Sequence, residues 1–196
     1  MKAYQEKRLT HTPVVLFSDR TDAEVIGKAK SFGLPVECLE KDPTESRQTF
    51  DKRIWSVLEM YRPDYLVLAG YFKILSSWLI QKFQEPKHEV SRILNIHPSL
   101  LPAFPGLHSY QKAFNYGAKV TGVTVHLVEE GVDQGPICAQ EAFSIQECKS
   151  HEEVENAGLK VEHELYPKTI EWVLSGAYIL TVNEVRGQRR HCVRPS

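Results

Sequence analysis

The sequence predicts an α/β fold, with a doubly wound and mostly parallel sheet, in a single domain of residues 1–196. Short apolar runs of strand length alternate with segments whose apolar residues recur at helical spacing. The run Tyr65-Leu66-Val67-Leu68-Ala69 is apolar throughout, as is typical of a parallel strand covered on both faces. A chain of 196 residues is long enough to bury one core, and no second domain is implied.

The first half of the chain reads as successive strand-helix units. A strand is predicted over residues 14–17, and Thr21 or Asp22 is predicted to cap a helix that closes at Gly33. The segment Asp42-Pro43-Thr44-Glu45 has the residue types of a helix start, with an N-cap, a proline and an acidic third position. We therefore expect a second helix to begin there and to lead into the strand at 65–69.

The second half is predicted to contain a strand that starts at Ile93 and a hairpin. Apolar residues alternate with polar ones over 123–127, and a glycine-containing turn separates this segment from a second strand at 137–143. In doubly wound sheets, ligands bind beyond the carboxyl ends of the strands. Gly70 and Asn95 both lie at such ends, so a site is expected near them.

A long helix and a short strand pair are predicted to complete the chain. Ser150 and Glu153 have the spacing of a capping box, and apolar residues follow at helical spacing as far as Gly176. Residues 177–193 are predicted to form a small terminal strand pair.

Asn95 and His97 carry the strongest chemical signal in the sequence. If residues 92–96 end a strand, the alternation of side chains points both residues to the same face. Pro98 favours an extended conformation at His97, and the prolines and glycine that follow keep the next segment out of a helix. The sequence thus predicts a rigid, exposed loop with an amide beside an imidazole, a pair that can hold a developing oxyanion.

Asp133 is a second candidate, because it lies in the glycine-flanked turn Gly131-Val132-Asp133-Gln134-Gly135. Glycines at such a turn let the backbone approach a ligand closely. A single aspartate in a turn is more often structural, and an isolated Asn-x-His is more often a turn amide with a surface histidine. The residues alone leave both interpretations open.

Composition excludes several classes of function. A net charge of −1 gives no basic field for nucleic acid. The longest apolar runs are strand-sized and the N-terminus lacks the apolar stretch of a signal peptide, so neither a membrane span nor secretion is expected. The cysteines are widely spaced with no Cys-x-x-Cys pattern, which indicates neither a metal site nor a redox pair and fits the cytoplasm. They are Cys38, Cys138, Cys148 and Cys192.

The run Asn95-Ile96-His97-Pro98-Ser99-Leu100-Leu101-Pro102, followed by Phe104-Pro105-Gly106-Leu107-His108, resembles the active-site signature of the folate-dependent formyltransferases. With Pro98 after the histidine, the motif resembles that of the branch that formylates glycinamide ribonucleotide. The deformylase and methionyl-tRNA branches usually carry another residue at this position. The resemblance implies transfer of a formyl group from the co-substrate 10-formyltetrahydrofolate to the amine of glycinamide ribonucleotide in purine biosynthesis. It implies small-molecule partners and no metal.

The resemblance also assigns roles to individual residues. It implies that Asn95 and His97 bind the formyl oxygen, and that Asp133 orients His97 and holds a water that relays the amine proton to the folate nitrogen. The folate-binding residues that it implies are Arg47, Phe72, Lys73, Ile74, Leu75, Gly131 and Val132. The nucleotide-binding residues that it implies are His108 and Glu162.

Two departures from the family pattern stand out. The family usually has methionine and arginine where this chain has Phe72 and Lys73, and lysine lacks the bidentate fork of arginine. The family also opens with a strand and a Gly-x-Gly-Ser-Asn type loop that holds the substrate phosphate at a helix N-terminus. The first strand of this chain aligns with the second strand of the family, and residues 1–8 align with the end of its first helix.

The absent front segment leaves two explanations and three functions open. We expect that the start codon has been placed too late, and not that the chain is a short form that lost its phosphate site. A missing strand would leave a sheet edge with unpaired backbone groups. The alternatives to the transferase are a formyltetrahydrofolate deformylase and a non-catalytic folate-binding protein. The sequence does not determine the oligomeric state, and a homodimer is one state that it allows.

Overall fold

A computed structural model of the chain describes residues 2–85, 90–185 and 188–196. The helices are α1 (Lys2–Gln5), α2 (Glu24–Ser31), α3 (Arg47–Leu58), α4 (Ser77–Lys82), α5 (Ser109–Tyr116) and α6 (His151–Leu174), with a 3₁₀ turn at Glu59–Tyr61. The strands are β1 (Leu16–Ser18), β2 (Val36–Cys38), β3 (Leu66–Leu68), β4 (Ile93–His97), β5 (Val120–Leu127), β6 (Ile137–Ser144), β7 (Tyr178–Val185) and β8 (Gln188–Pro195).

The strands confirm the α/β fold class and show where the parallel pairing lies. β1 pairs in parallel with β2, and β3 pairs in parallel with β4. From β4 onward the main sheet is antiparallel, in the order β3-β4-β5-β6. The predicted hairpin is β5 and β6, and the predicted terminal strand pair is β7 and β8.

Within the described residues, β1–β2 and β3–β6 are separate hydrogen-bonded sheets. They share a core, because Phe17 of β1 and Leu66 of β3 both pack against the buried α3 residues Phe50 and Ile54. An ion pair between Asp19 and Lys73 joins the segments that follow β1 and β3. The expectation that a strand precedes β1 in the full fold stays a prediction.

The core of the main sheet explains why β4 is apolar on both faces. Leu94 packs with Val125 of β5 against Tyr166 and Val173 of α6. The adjacent Ile93 points to the opposite face and packs against α4. Burying a side chain of this size contributes about 1.5–3 kcal/mol, so α4 and α6 hold β4 firmly from both sides.

Two predicted helix caps were wrong. α2 follows Ala23 without a side-chain cap, because the carboxylate of Asp22 pairs with Arg20 at 2.8 Å instead. α3 begins after Ser46, whose hydroxyl accepts the Thr49 N–H, and not after Asp42. The segment 42–45 has capping-box chemistry but closes on itself as an isolated turn, in which the Asp42 N–H donates to the Glu45 carboxylate at 2.8 Å.

The cap of α6 is confirmed. The Ser150 hydroxyl accepts the Glu153 N–H at 3.3 Å, and the Glu153 carboxylate accepts the Lys149 N–H at 2.8 Å. α6 has 24 residues, and its Tyr166 and Val173 pack against Leu94 of β4 and Val125 of β5. Within the described ranges, no helix has the length and apolar character needed to cross a membrane.

Candidate active site

Strands β4 and β5 place four polar side chains on one face of the main sheet. Asn95 lies directly opposite His126, and His97 lies directly opposite Thr124. The two-residue alternation predicted for Asn95 and His97 therefore holds in the structure, and β5 supplies two more polar residues at the same level.

Thr124 fixes the loop that follows His97. Its hydroxyl donates to the Ser99 carbonyl at 2.6 Å and accepts the Leu101 N–H at 3.1 Å. The peptide bond between Leu101 and Pro102 is cis. The loop is thus anchored to β5 before it reaches the Phe-Pro-Gly segment.

His97 itself is buried, with 4 % of its surface exposed, although several residues of the predicted exposed loop after it, such as Pro105 and Leu107, are exposed. Its Nε2 lies 3.1 Å from both the Phe104 carbonyl oxygen and the Ser109 hydroxyl, and its Nδ1 lies 3.3 Å from the Asp133 carboxylate. The loop covers the ring because it folds back across the end of β4, which brings Phe104 and Ser109 onto the imidazole.

Asp133 reaches the site through the turn between β5 and β6. A Cβ on Gly135 would lie 1.9 Å from the Leu127 carbonyl oxygen, so only glycine lets this turn approach β5 so closely. The Asp133 carboxylate accepts the Gly106 N–H at 2.7 Å. The turn and the Phe-Pro-Gly segment are therefore tied together at the His97 ring.

His126 determines how Asn95 is oriented. Burial lowers the pKa of His126, and its Nδ1 lies 2.8 Å from the Leu127 carbonyl oxygen, so the neutral ring carries its proton on Nδ1. The unprotonated Nε2 then accepts an N–H of Asn95 at 3.2 Å. His126 also lies 3.8 Å from Asp133, a distance that would suit an ion pair, but the neutral ring forms none. The second N–H of Asn95 remains for a ligand.

The segment predicted to bind folate offers a mixed apolar and polar surface. Phe72 is 78 % exposed and Ile74 is half exposed, whereas Leu75 is buried in the core beside α4 and could contact a ligand only through its backbone. The ammonium group of Lys73 is paired with Asp19. The Tyr71 hydroxyl is buried and has no hydrogen-bond partner among the residues that the structure describes.

Four of the remaining predicted binding residues are exposed. Arg47 is exposed on the first turn of α3, and Gly131 and Val132 are exposed on the turn that carries Asp133. His108 is exposed immediately before α5, with a left-handed φ of 60°.

Glu162 is brought toward the motif by a tyrosine that the sequence did not single out. Its carboxylate accepts the Tyr110 hydroxyl at 2.8 Å, and burial raises the pKa of Glu162. A Cβ on Gly158 would lie 2.0 Å from the Tyr110 oxygen, so this glycine makes room for the ring on α6. Tyr110 is the second residue of α5 and adjoins Ser109, which contacts His97.

Sequence reasoning also missed Ser109 and the Phe104 carbonyl as partners of His97. Both lie within the Phe-Pro-Gly-Leu-His-Ser run, but only the folding of the loop reveals which atoms face the imidazole. Among the described residues, no three His, Cys, Asp or Glu side chains cluster as metal ligands do.

A family model described as formyl transferase matches residues 1–170. The chain belongs to the formyl transferase family. This formyl transferase is 37 % identical over 170 residues to the phosphoribosylglycinamide formyltransferase of Bacillus subtilis strain 168, an alignment that covers 87 % of this chain and 84 % of the relative.

Solved structures agree with the family assignment. The phosphoribosylglycinamide formyltransferase of Bacillus halodurans is 38 % identical, with a TM-score of 0.83 over 90 % of this formyl transferase and 88 % of that chain. Glycinamide ribonucleotide transformylase 1 of Symbiobacterium toebii is 35 % identical, with a TM-score of 0.86 over 99 % and 85 % of the two chains. The fold that the motif resemblance implied is therefore confirmed.

Proposed function

We propose that this formyl transferase moves the formyl group of 10-formyltetrahydrofolate to the amine of glycinamide ribonucleotide, as a step of purine biosynthesis. The observation that carries the proposal is the proximity of three residues at the ends of β4 and of the turn after β5: Asn95 and His97 lie on one face of β4, and Nδ1 of His97 lies 3.3 Å from the Asp133 carboxylate. The names of the relatives at 37 % and 38 % identity support this choice of substrate.

Asn95 and His97 are proposed to stabilise the oxygen of the formyl group as negative charge develops on it. The second N–H of Asn95 is available, because His126 accepts only the first. Both nitrogens of His97 face acceptors of the protein, so the formyl oxygen would share an N–H with one of them. Donors held in place before the reaction stabilise such charge without reorganisation.

Asp133 is proposed to accept the proton that the substrate amine loses, through a bound water. Its carboxylate is largely shielded from solvent and is held by the Gly106 N–H. This contact holds one carboxylate oxygen in place, and a positioned carboxylate can act as a general base.

The folate and the nucleotide are assigned to different parts of the site. The exposed apolar residues Phe72, Ile74 and Val132 are proposed to contact the folate, which when bound supplies the formyl group and the nitrogen that leaves. His108 and Glu162 are proposed to contact the nucleotide. All four cysteines are free thiols, as is typical of the cytoplasm, where we place the reaction. The homodimer that the sequence allows stays a prediction.

The deciding experiment supplies the full chain with 10-formyltetrahydrofolate, with and without glycinamide ribonucleotide, and measures both the formylated product and free formate. Product that forms only when the nucleotide is present supports the transferase. Formate release at the same rate without the nucleotide would instead identify a deformylase. Folate binding with neither product would identify a non-catalytic folate-binding protein.

The Asp133→Asn variant tests the role of the carboxylate. The amide keeps the size of the side chain but does not accept the proton, so we expect transfer to fall by about 10²-fold or more while folate binding persists. Asp22→Asn is the matched control, because Asp22 pairs only with the exposed Arg20 on the surface. Equal activity of the two variants across pH 6 to 9 would contradict the assignment.

A further inference from the structure

We propose that Tyr110 is a positioning residue for the nucleotide: its hydroxyl holds one oxygen of the Glu162 carboxylate and leaves the other oxygen to accept a ribose hydroxyl of glycinamide ribonucleotide. This inference deepens the proposed function and rests on it, because it takes Glu162 as a nucleotide contact. The state of the carboxylate itself can be measured without any turnover.

Tyr110 is a donor that the core holds in place. Its hydroxyl donates to Oε1 of Glu162 at 2.8 Å. Burial and the nearby carboxylate raise the pKa of Tyr110, so the phenol keeps its proton. Tyr110 is 7 % exposed, and it packs with Ala113 of α5 and Val154 of α6. The hydrogen bond is therefore formed before any ligand arrives.

The second oxygen of Glu162 remains available to a ligand. Within the described ranges, Oε1 accepts from Tyr110 and no hydrogen bond to Oε2 is found. Oε2 is not among the buried polar atoms that lack a partner, so water or a ligand can reach it. A carboxylate oxygen accepts hydrogen bonds, and the hydroxyls of a ribose are donors that match it.

The start of α5 connects this pair to the other residues of the proposed site. The hydroxyl oxygen of Ser109, the neighbour of Tyr110, lies 3.1 Å from Nε2 of His97. His108, the other predicted nucleotide contact, is exposed immediately before α5. Three consecutive residues therefore link a predicted nucleotide contact, the proposed catalytic histidine and Glu162.

The Tyr110 hydrogen bond favours the ionised form of Glu162. Burial raises the pKa of Glu162, and the hydrogen bond from Tyr110 opposes that shift. The other charged groups that act on this carboxylate lie on α6 itself, where His163 lowers its pKa and Glu155 raises it. Loss of the Tyr110 hydroxyl should therefore increase the neutral fraction of Glu162, and a neutral carboxyl group accepts weaker hydrogen bonds than a carboxylate does.

The first test is the Tyr110→Phe variant, which keeps the ring in the core and removes only the hydroxyl. We expect the KM for glycinamide ribonucleotide to rise about three- to tenfold, with kcat and the KM for the folate nearly unchanged. The rise should be larger at pH 6 than at pH 8, because the neutral form of Glu162 gains population as the pH falls. A KM that stays at the wild-type value at both pH values would overturn the inference.

Tyr116→Phe is the matched control. Tyr116 lies on the same helix and is 81 % exposed, and no hydrogen bond of its hydroxyl is found within the described residues. We expect this variant to keep the wild-type KM for the nucleotide at both pH values. A rise equal to that of Tyr110→Phe would show that the effect does not come from the contact with Glu162.

The second test measures the carboxylate in the absence of turnover. A ¹³C titration of the glutamate carboxyl groups, with the Glu162→Gln variant to assign the signal, should give Glu162 a higher pKa in Tyr110→Phe than in the wild type. An unchanged pKa would contradict the inference whatever the activity. The two possible failures are distinct: no product from the wild-type chain contradicts the proposed function, whereas product with an unchanged KM in Tyr110→Phe contradicts this inference alone.

A double variant determines whether Tyr110 acts through Glu162. Glu162→Gln keeps the size of the side chain but removes its charge, so we expect it to raise the KM for the nucleotide and to abolish the difference between pH 6 and pH 8. Adding Tyr110→Phe to Glu162→Gln should then raise the KM little further. Full additivity of the two changes would show that the hydroxyl reaches the substrate by another route, and the positioning role would be wrong.

Discussion

Asn95 and His126 form a pair in which each side chain determines what the other presents. The neutral His126 ring donates its Nδ1–H to the carbonyl of Leu127. Its Nε2 therefore accepts a hydrogen bond from the amide of Asn95. The amide of Asn95 therefore turns its nitrogen toward the ring, and its remaining N–H becomes a donor with a fixed direction.

Removal of this donor should be costly for catalysis. We expect Asn95→Ala to lower kcat by about 10²–10³-fold, the usual effect of losing one oxyanion donor, while folate affinity changes far less. Steady-state kinetics and folate titration measure the two quantities. The exposed Asn156→Ala on α6 serves as the control, and an Asn95→Ala enzyme as active as this control would rule out the oxyanion role.

The buried neutral His126 makes stability depend on pH. Burial lowers its pKa in the folded protein below the unfolded value near 6.5, so the unfolded chain binds the proton more readily. The free energy of unfolding should thus be highest above that value and fall as the pH drops through it toward the folded pKa. Denaturant unfolding from pH 8 to 5 should show a shallower decline in His126→Gln than in the surface control His163→Gln. Equal slopes would contradict a neutral buried ring.

The turn between β5 and β6 depends on one glycine. A Cβ at position 135 would overlap the Leu127 backbone, which is unable to move without disturbing the His126 hydrogen bond. We expect Gly135→Ala to lower the free energy of unfolding by about 1–3 kcal/mol and to reduce kcat, since Asp133 is carried on the same turn.

Gly27 in α2 provides the matched comparison. It is exposed within a helix, and a Cβ there meets nothing within 4 Å. Gly27→Ala should raise stability by about 1 kcal/mol, through helix propensity alone, without an effect on activity. Chemical denaturation of the two variants should therefore give shifts of opposite sign, and shifts of the same sign would show that the clash at 135 is relieved.

The elements that the sequence predicted well are those governed by local rules. The alternation that places Asn95 and His97 on one face and the Ser150 cap of α6 both follow from neighbouring residues. The start of α3 did not, because residues 42–45 satisfy their own hydrogen bonds in a separate turn before Ser46 begins the helix.

Burial within the site was beyond the reach of local rules. The imidazole of His97 is covered because Thr124, which lies on another strand, anchors the loop through Ser99 and Leu101. The contact of Ser109 with His97 likewise depends on how the loop folds back. Contacts of this kind depend on the folded backbone, and a single sequence carries no periodic signal for them.

The β1–β2 sheet and the β3–β6 sheet should differ in local stability. β1 and β2 are three-residue strands that pair with each other alone within the described chain, whereas β5 has eight residues and a partner on either side. Native-state hydrogen exchange should therefore give the amides of β1 and β2 a lower free energy of opening than those of β5. Equal protection in all three strands would show that the shared α3 core makes the molecule a single cooperative unit.

The separation of the sheets also bears on how the enzyme would lose activity. Asn95, His97 and Asp133 all lie in the half of the molecule built on β3–β6, while the partner of Lys73 is Asp19, in the half that contains β1. An excursion that loosens β1 and β2 would release Lys73 and alter the exposed segment around Phe72, which is proposed to contact the folate, before it disturbed the proposed catalytic residues. Mild inactivation would then begin as weakened capture of the formyl donor, with the chemical step intact in the molecules that still bind it.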